Sequence, residues 1–412
     1  MRPALQVVVA ALASTGCVAM RSPELACKAS SDCTDGRSCE QGFCVVTDTD
    51  GGASDDADSS DGGTDADVFV CSALVGHHFA GCDIPQPTRS LVLDAAGTYT
   101  YDTDLAILIA PNSDVTQPEH VTVTAGRVIS IQQLMIGSAA TLRVVGAKPL
   151  IIASWSTISV AGTIDASSTA TKLGAGANPA ACASHAATAG GNDTAGAGGG
   201  GGAGMRGAGG KGGGGDGDNN GGPAGAAVTM TPSMLAGGCA GARGGTGNAN
   251  GGAGGNGGGA IQLTALESIT IDGSIHVGGA GGGGGTGDNG GGGGGGSGGM
   301  IGLESASITL GTTSMLAANG GGGGGGAGDV PATGGQDARM SAVRAPPGPG
   351  SDGGSSGGLG GAGTATAGDP GINDNDRGGG GGGGGTGFVV VSSTMPATMG
   401  GVASPAATLM PR

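Results

Sequence analysis

The sequence predicts an all-β protein of β-solenoid-like stacked coils, interrupted by glycine-rich excursions. Three observations carry this. Two segments, Ile261 to Val277 and Met300 to Ala318, hold apolar pairs at period two (Ile261 and Leu263, Ile269 and Ile271, Ile275 and Val277 in the first), the pattern of half-buried strands. An earlier copy fits the first at a constant offset of 111 residues, with Leu150, Ile152, Ile158, Val160 and Ile164 in matching places. Between the copies run glycine tracts, of which Gly278 to Gly299 holds 17 glycines in 22 residues. One such copy cannot bury its apolar face alone, so its repetition predicts neighbours stacked on it.

Composition sets the limits. Of 412 residues, 101 are glycine and 2% are aromatic, and the net charge of −16 argues against a nucleic-acid partner, because duplex binding relies on Lys and Arg neutralising phosphates.

Taken in order, residues 1–16 combine Arg2, an apolar run from Ala4 to Ala13 too short to span a bilayer, and small residues before Cys17, which reads as a secretory signal peptide. Ser14-Thr15-Gly16-Cys17 resembles the lipobox of bacterial lipoproteins, although Ser14 stands where that pattern prefers Leu. The resemblance implies cleavage before Cys17, lipid attachment to it, and an exported protein held at the outer membrane or cell surface.

Residues 17–46 form a small module in which Cys27, Cys33, Cys39 and Cys44 fall close together. A segment this small builds no core, so the cysteines are disulfide candidates with open connectivity; zinc is disfavoured because neither a paired CxxC nor a histidine is present. The module resembles those near the N-termini of predicted surface lipoproteins of myxobacteria and their relatives. Residues 47–67 carry eight aspartates and no basic residue, an acidic, disordered tether. Asp48 and Asp50, or Asp56, Asp58 and Asp61, match fragments of a calcium loop without its full order, so weak calcium binding stays an alternative.

Residues 68–166 start the solenoid. Cys71 and Cys82 are close enough to staple a loop around His77-His78; two adjacent histidines on a strand point to opposite faces and rarely ligate one ion, so they read as surface residues. Three glycine-rich excursions follow, 167–259, 278–299 and 319–387, separated by coils 260–277 and 300–318 and closed by a last strand and tail over 388–412. The second coil overlays the first with one residue deleted, which sets Met315 and Ala317 in the places of Ile275 and Val277. By parity Cys182 pairs with Cys239, which argues for a fold in the first excursion. The excursions are either disordered or similar to polyglycine II bundles, as in some phage tail adhesins and in the glycine-rich domain of certain receptor tyrosine kinases. Side-chain-free helices of three residues per turn pack closely enough to share backbone hydrogen bonds.

Catalytic-looking motifs follow from composition. GxGxxG recurs without a strand-to-helix context, and the GxSxG matches around Ser297 and Ser355 lack the strand and helix of a nucleophile elbow. Asp165, Glu267, Asp272 and Glu304 are the carboxylates on the coils, and Glu267 with Glu304 could stack across them; both read as solvent-facing, with no Arg or Lys beside them in sequence. The expectation is a lipid-anchored surface protein with a structural or adhesive role. It has no catalytic residues, metal or cofactor, and its partners are the membrane and a surface polysaccharide or another surface protein. The alternative is a polysaccharide lyase or hydrolase on the same scaffold.

Overall fold

The computed structural model describes residues 38–40, 43–45, 70–229 and 231–412, in two units, Met1–Val68 and Phe69–Arg412. In the first, β1 (Ser38–Glu40) pairs antiparallel with β2 (Phe43–Val45), with Cys39 opposite Cys44. The signal peptide, the tether, Cys17, Cys27 and Cys33 lie outside the described residues.

The second unit opens with a hairpin, β3 (Val75–Gly76) and β4 (Phe79–Ala80), stapled by the Cys71–Cys82 disulfide with Cα atoms 4.7 Å apart. His77 and His78 are the turn of this hairpin. The opposite-face argument therefore does not apply to them, since it requires an extended strand. Next come β5 (Leu91–Leu93), β6 (Gly97–Asp102), β7 (Ile107–Ile109), β8 (Val115–Thr116) and β9 (His120–Val123).

From there strands arrive in threes. The first triplet is β10 (Gly126–Ile131), β11 (Leu134–Ile136) and β12 (Ala140–Val145), followed by β13 (Leu150–Ser154), β14 (Thr157–Val160) and β15 (Thr163–Asp165). After the first glycine excursion come β16 (Ala260–Ala265), β17 (Ser268–Ile271) and β18 (Ser274–His276), and after the second β19 (Met300–Ser305), β20 (Ser307–Leu310) and β21 (Met315–Ala317). The third excursion leads to β22 (Phe388–Ser393), β23 (Thr398–Met399), β24 (Val402–Ser404) and a final β25 (Thr408–Pro411). Residues 388–412, expected to hold one strand and a tail, thus carry four strands, whose short lengths and interrupting prolines hide the alternation.

Each member of a triplet pairs in parallel with the same member of the next, giving sheets of seven, six and eight strands with antiparallel additions only at β7, β8 and β9. The 111-residue offset is the register of the structure from Leu150 opposite Ile261 to Asp165 opposite His276. The next expected register is off by one. Ile275 faces Leu316, and Ser274 faces Met315, because the turn at Gly311 to Ser314 is two residues longer than the turn at Asp272-Gly273. A slip of one residue exchanges the faces of a strand, and here it puts Leu316 rather than Met315 inside.

Between the three sheets, side chains in register form unbroken columns: Ile129, Ile152, Leu263, Leu303 and Val391 in one, Leu142, Ile164, Ile275 and Leu316 in another. All are 2% exposed or less. Each such aliphatic side chain contributes about 1.5–3 kcal/mol by leaving water. Strands β13, β16 and β19 are buried on both faces, because Leu74, Phe79, Ile84, Met205 and Leu235 pack on the outer side of their sheet. Parallel strands covered on both faces lose alternation and read as continuous apolar runs.

The excursions leave after β15, β18 and β21, which are neighbours in one sheet, and return at β16, β19 and β22, neighbours in another. They form one hydrogen-bonded lobe. Residues 291–298 donate in strict rotation, every third amide to the same neighbour. Gly292, Gly295 and Gly298 bond to Gly379, Gly382 and Gly385; Gly293 and Gly296 to Gly283 and Ala280; Gly291, Gly294 and Ser297 to Gly245, Ala242 and Cys239, all at 2.8–3.1 Å. The carbonyls of 291–297 accept from three further segments, through Gly200 and Ala203, through Gly252, Gly255 and Gly258, and through Gly321 and Gly324. Six segments therefore surround one. A Cβ on Gly294 would stand 2.0 Å from the Gly201 carbonyl oxygen and one on Gly381 2.0 Å from that of Gly293, so close approach of backbones requires glycine there. Cys182 and Cys239 are bridged within the lobe, Cα atoms 5.6 Å apart.

Candidate functional site

Parallel register brings polar residues of successive strands side by side on the outer face of the seven-stranded sheet. Thr264, Glu304, Ser392 and Met410 form one row, and Gln262, Gly302 and Val390 the row beside it. The His77-His78 turn lies over them and, with Thr231, Pro232, Ser233 and Met300, encloses a cavity of about 210 Å³.

Glu304 is 7% exposed, against the expectation of a solvent-facing residue. The strand does present it on the outer face; the hairpin turn, distant in sequence, covers that face. One carboxylate oxygen, Oε2, accepts from the His77 backbone N–H at 2.9 Å, from Gln262 Nε2 at 3.0 Å and from Thr264 Oγ1 at 3.3 Å. The other, Oε1, has His77 Nδ1 at 3.5 Å. His78 Nδ1 is hydrogen-bonded to Gln262 Oε1, which orients the amide so that its N–H2 faces the carboxylate. Ser392 is 1% exposed and its hydroxyl has no hydrogen-bond partner. Arg412 feels the field of Glu304, but its guanidinium donates to the Ala265 and Val75 carbonyls.

Glu267 does not join this site. It is exposed and accepts from Ser156 Oγ at 3.1 Å. Asp272 is exposed at a turn. Asp165 lies in a second column, on the eight-stranded sheet, where Arg143, Asp165 and His276 stand in register. Arg143 Nη1 lies 2.9 Å from Asp165 Oδ2, and His276 Nδ1 lies 3.7 Å from Asp165 Oδ1. Burial holds the His276 imidazole below its ordinary pKa; the attraction of Asp165 opposes this and the Arg143 charge adds to it. Ser297, the centre of one GxSxG match, is fully buried and accepts from the Cys239 N–H at 2.8 Å, a structural role. Cys182, His185 and Cys239 bring three metal-type donors within 4.8 Å, but both sulfurs are tied in the disulfide.

Sequence reasoning missed Gln262, Gly302 and Ser392. Gly302 carried a signal, since it interrupts a strand position held by Ile151 and Val390 in other triplets. A Cβ there would meet nothing nearer than Gln262 Cγ at 3.5 Å, so the backbone does not demand glycine. Its effect is to leave space. A larger cavity of about 730 Å³ opens near β5 and β8, where Glu119 is already bonded to Thr88 and Asp114 to Asn112.

No known protein family, curated protein or solved structure matches the chain.

Proposed function

We propose that the protein is an exported, lipid-anchored cell-surface protein with a structural or adhesive role, in which the stacked triplets are coils of a β-solenoid and the lobe is a polyglycine II bundle. The observation that carries it is the rotation of hydrogen bonds along 291–298, with six neighbours around one segment. Three residues per turn is the polyproline II repeat, and packing of this kind makes a stiff body whose interior is almost all backbone. The glycine amides and carbonyls of the interior are spent on each other, so they are not available as a contact surface. Contact falls to the turns. Asp216, Asp288, Asn289 and Asp352 take positive φ at chain reversals, and Arg377 bonds Asp329 and Asn289 there while Gly217 bonds the Asp374 carbonyl. The bundle thus ends in an acidic cap.

Anchorage rests on the lipobox resemblance at Cys17, and disulfides in the second unit accord with an oxidising compartment. The enzymatic alternative gains no support from the coil carboxylates, because Glu267 and Glu304 do not face one cavity and glycoside hydrolysis by paired carboxylates needs both at the substrate.

The test is fractionation and attachment of cells carrying the wild type, Cys17→Ser, or a deletion of residues 279–298. The wild type is expected in the membrane fraction and Cys17→Ser in the soluble exported fraction. The deletion stays membrane-bound while cell attachment falls several-fold. Retention of Cys17→Ser in the membrane, or unchanged attachment by the deletion, refutes the corresponding part.

A further inference from the structure

We propose that the cavity under the His77-His78 turn is a binding site for a small primary ammonium ion with a short apolar body, a function beyond the surface role above. Four features of the site converge on it, and the first is charge. Glu304 is buried, and the donors hydrogen-bonded to it are a backbone amide, a side-chain amide and a hydroxyl, all neutral. Buried carboxylates are ordinarily paired with a cation, because neutral donors only partly replace lost hydration. Arg412 is turned to backbone carbonyls, and the His77 side chain is 54% exposed at the cavity rim.

The second is unfilled hydrogen-bonding capacity on one side of the site. Three donors crowd Glu304 Oε2, while Oε1 has only His77 Nδ1, at 3.5 Å. Ser392, the next residue along the same row, has a buried hydroxyl with no partner. An ammonium group brings three N–H donors and no acceptor, which matches a carboxylate oxygen holding one long contact in the same row as an unpartnered hydroxyl oxygen. The third is space. Gly302 costs its strand stability relative to a β-branched residue and answers no backbone need, yet it forms the floor of the cavity beside these two groups. The fourth is the wall. Met300, Val390, Met410 and Pro232 offer an apolar lining for a carbon chain. A chelated metal fits less well, because among the described residues the group of His, Cys, Asp and Glu placed to hold an ion is Cys182, His185 and Cys239, not His77, His78 and Glu304. An anion meets the carboxylate.

Titration calorimetry of the full mature chain at neutral pH tests this with four probes: butylammonium chloride, 1-butanol, sodium butyrate and zinc chloride. Butylammonium is expected to bind at one site at least about tenfold more tightly than butanol, the margin of one buried charge-assisted contact. Glu304→Gln should weaken it by a similar factor while leaving butanol unchanged. Gly302→Leu, which fills the cavity without touching the carboxylate, should abolish it. The two variants attack charge and volume separately, and circular dichroism identifies any that fails to fold, so the other remains informative. The proposal is overturned if butanol or butyrate binds as tightly as butylammonium or if butylammonium gives no saturable heat with the wild type. It is also overturned if folded variants bind it unchanged, or if zinc alone binds and Glu304→Gln removes it.

Discussion

His276 stands third in the column Arg143, Asp165, His276, and its burial gives the fold one response to acid. The charged groups acting on it are Asp165 and Asp337, which favour the imidazolium, and Arg143, which opposes it; desolvation outweighs them and lowers the pKa from 6.5. The unfolded chain therefore takes up the proton at higher pH than the native one. The stability contributed by the neutral imidazole is complete above the unfolded value of about 6.5 and is lost as pH falls from there toward the folded value, at up to ~1.4 kcal/mol per pH unit. Denaturant unfolding of the wild type and His276→Gln between pH 7.5 and 5 should show the wild type losing stability faster with acid. Parallel profiles would assign the effect elsewhere.

At the level of elements, the glycine tracts and the strands obey different packing rules. In a strand column a side chain fills the space between neighbours; in the lobe a side chain at most tract glycines would run into a neighbouring backbone. Gly294→Val and Gly381→Val, whose Cβ atoms would collide with the Gly201 and Gly293 carbonyls, are each expected to cost about 1–3 kcal/mol, as overpacked interiors do. Hydrogen exchange should show the loss first at the rotating partners, the amides of 200–203, 252–258 and 379–385, while β13 and β16 keep their protection. Uniform loss across strands and lobe would mean a single cooperative unit. The strands were legible because Ile152, Ile158 and Ile164 repeat their spacing in a later copy, and period-two apolar spacing is visible without tertiary information. The Met315 register was not, since a two-residue change in turn length leaves no mark on hydrophobicity. Nor was the site, whose parts meet only when residue 77 lies over residue 304; a buried Glu and an exposed one look alike in sequence. Gly302 alone hinted at it.

On the scale of the whole molecule, the lobe is held by one covalent tie. The Cys182–Cys239 bridge spans 57 residues, and closing a loop of that length in the unfolded chain is worth about 4 kcal/mol in the chain-entropy account. Cys182→Ser with Cys239→Ser should lower the midpoint of lobe unfolding by the equivalent of ~2–4 kcal/mol, read by hydrogen exchange across 188–258. A change confined to 179–186 would limit the tie to the short helical turn that carries Cys182. Few other elements could supply that stabilisation, because glycine gives up about 1–2 kcal/mol of backbone entropy per residue and recovers roughly 1 per hydrogen bond.

The segment ringed by six others also imposes an order in time. Residues 291–298 bond to chain that precedes them, at 239–245, and to chain made much later, at 379–385. The centre of the lobe therefore stays incomplete until residues 379–385 are present, and a chain lacking them leaves the amides of Gly292, Gly295 and Gly298 to water. Contacts separated by so many residues close slowly. The same dependence reaches the sheets, where β22, β23 and β24 extend the seven-, six- and eight-stranded sheets only once the third excursion has been traversed.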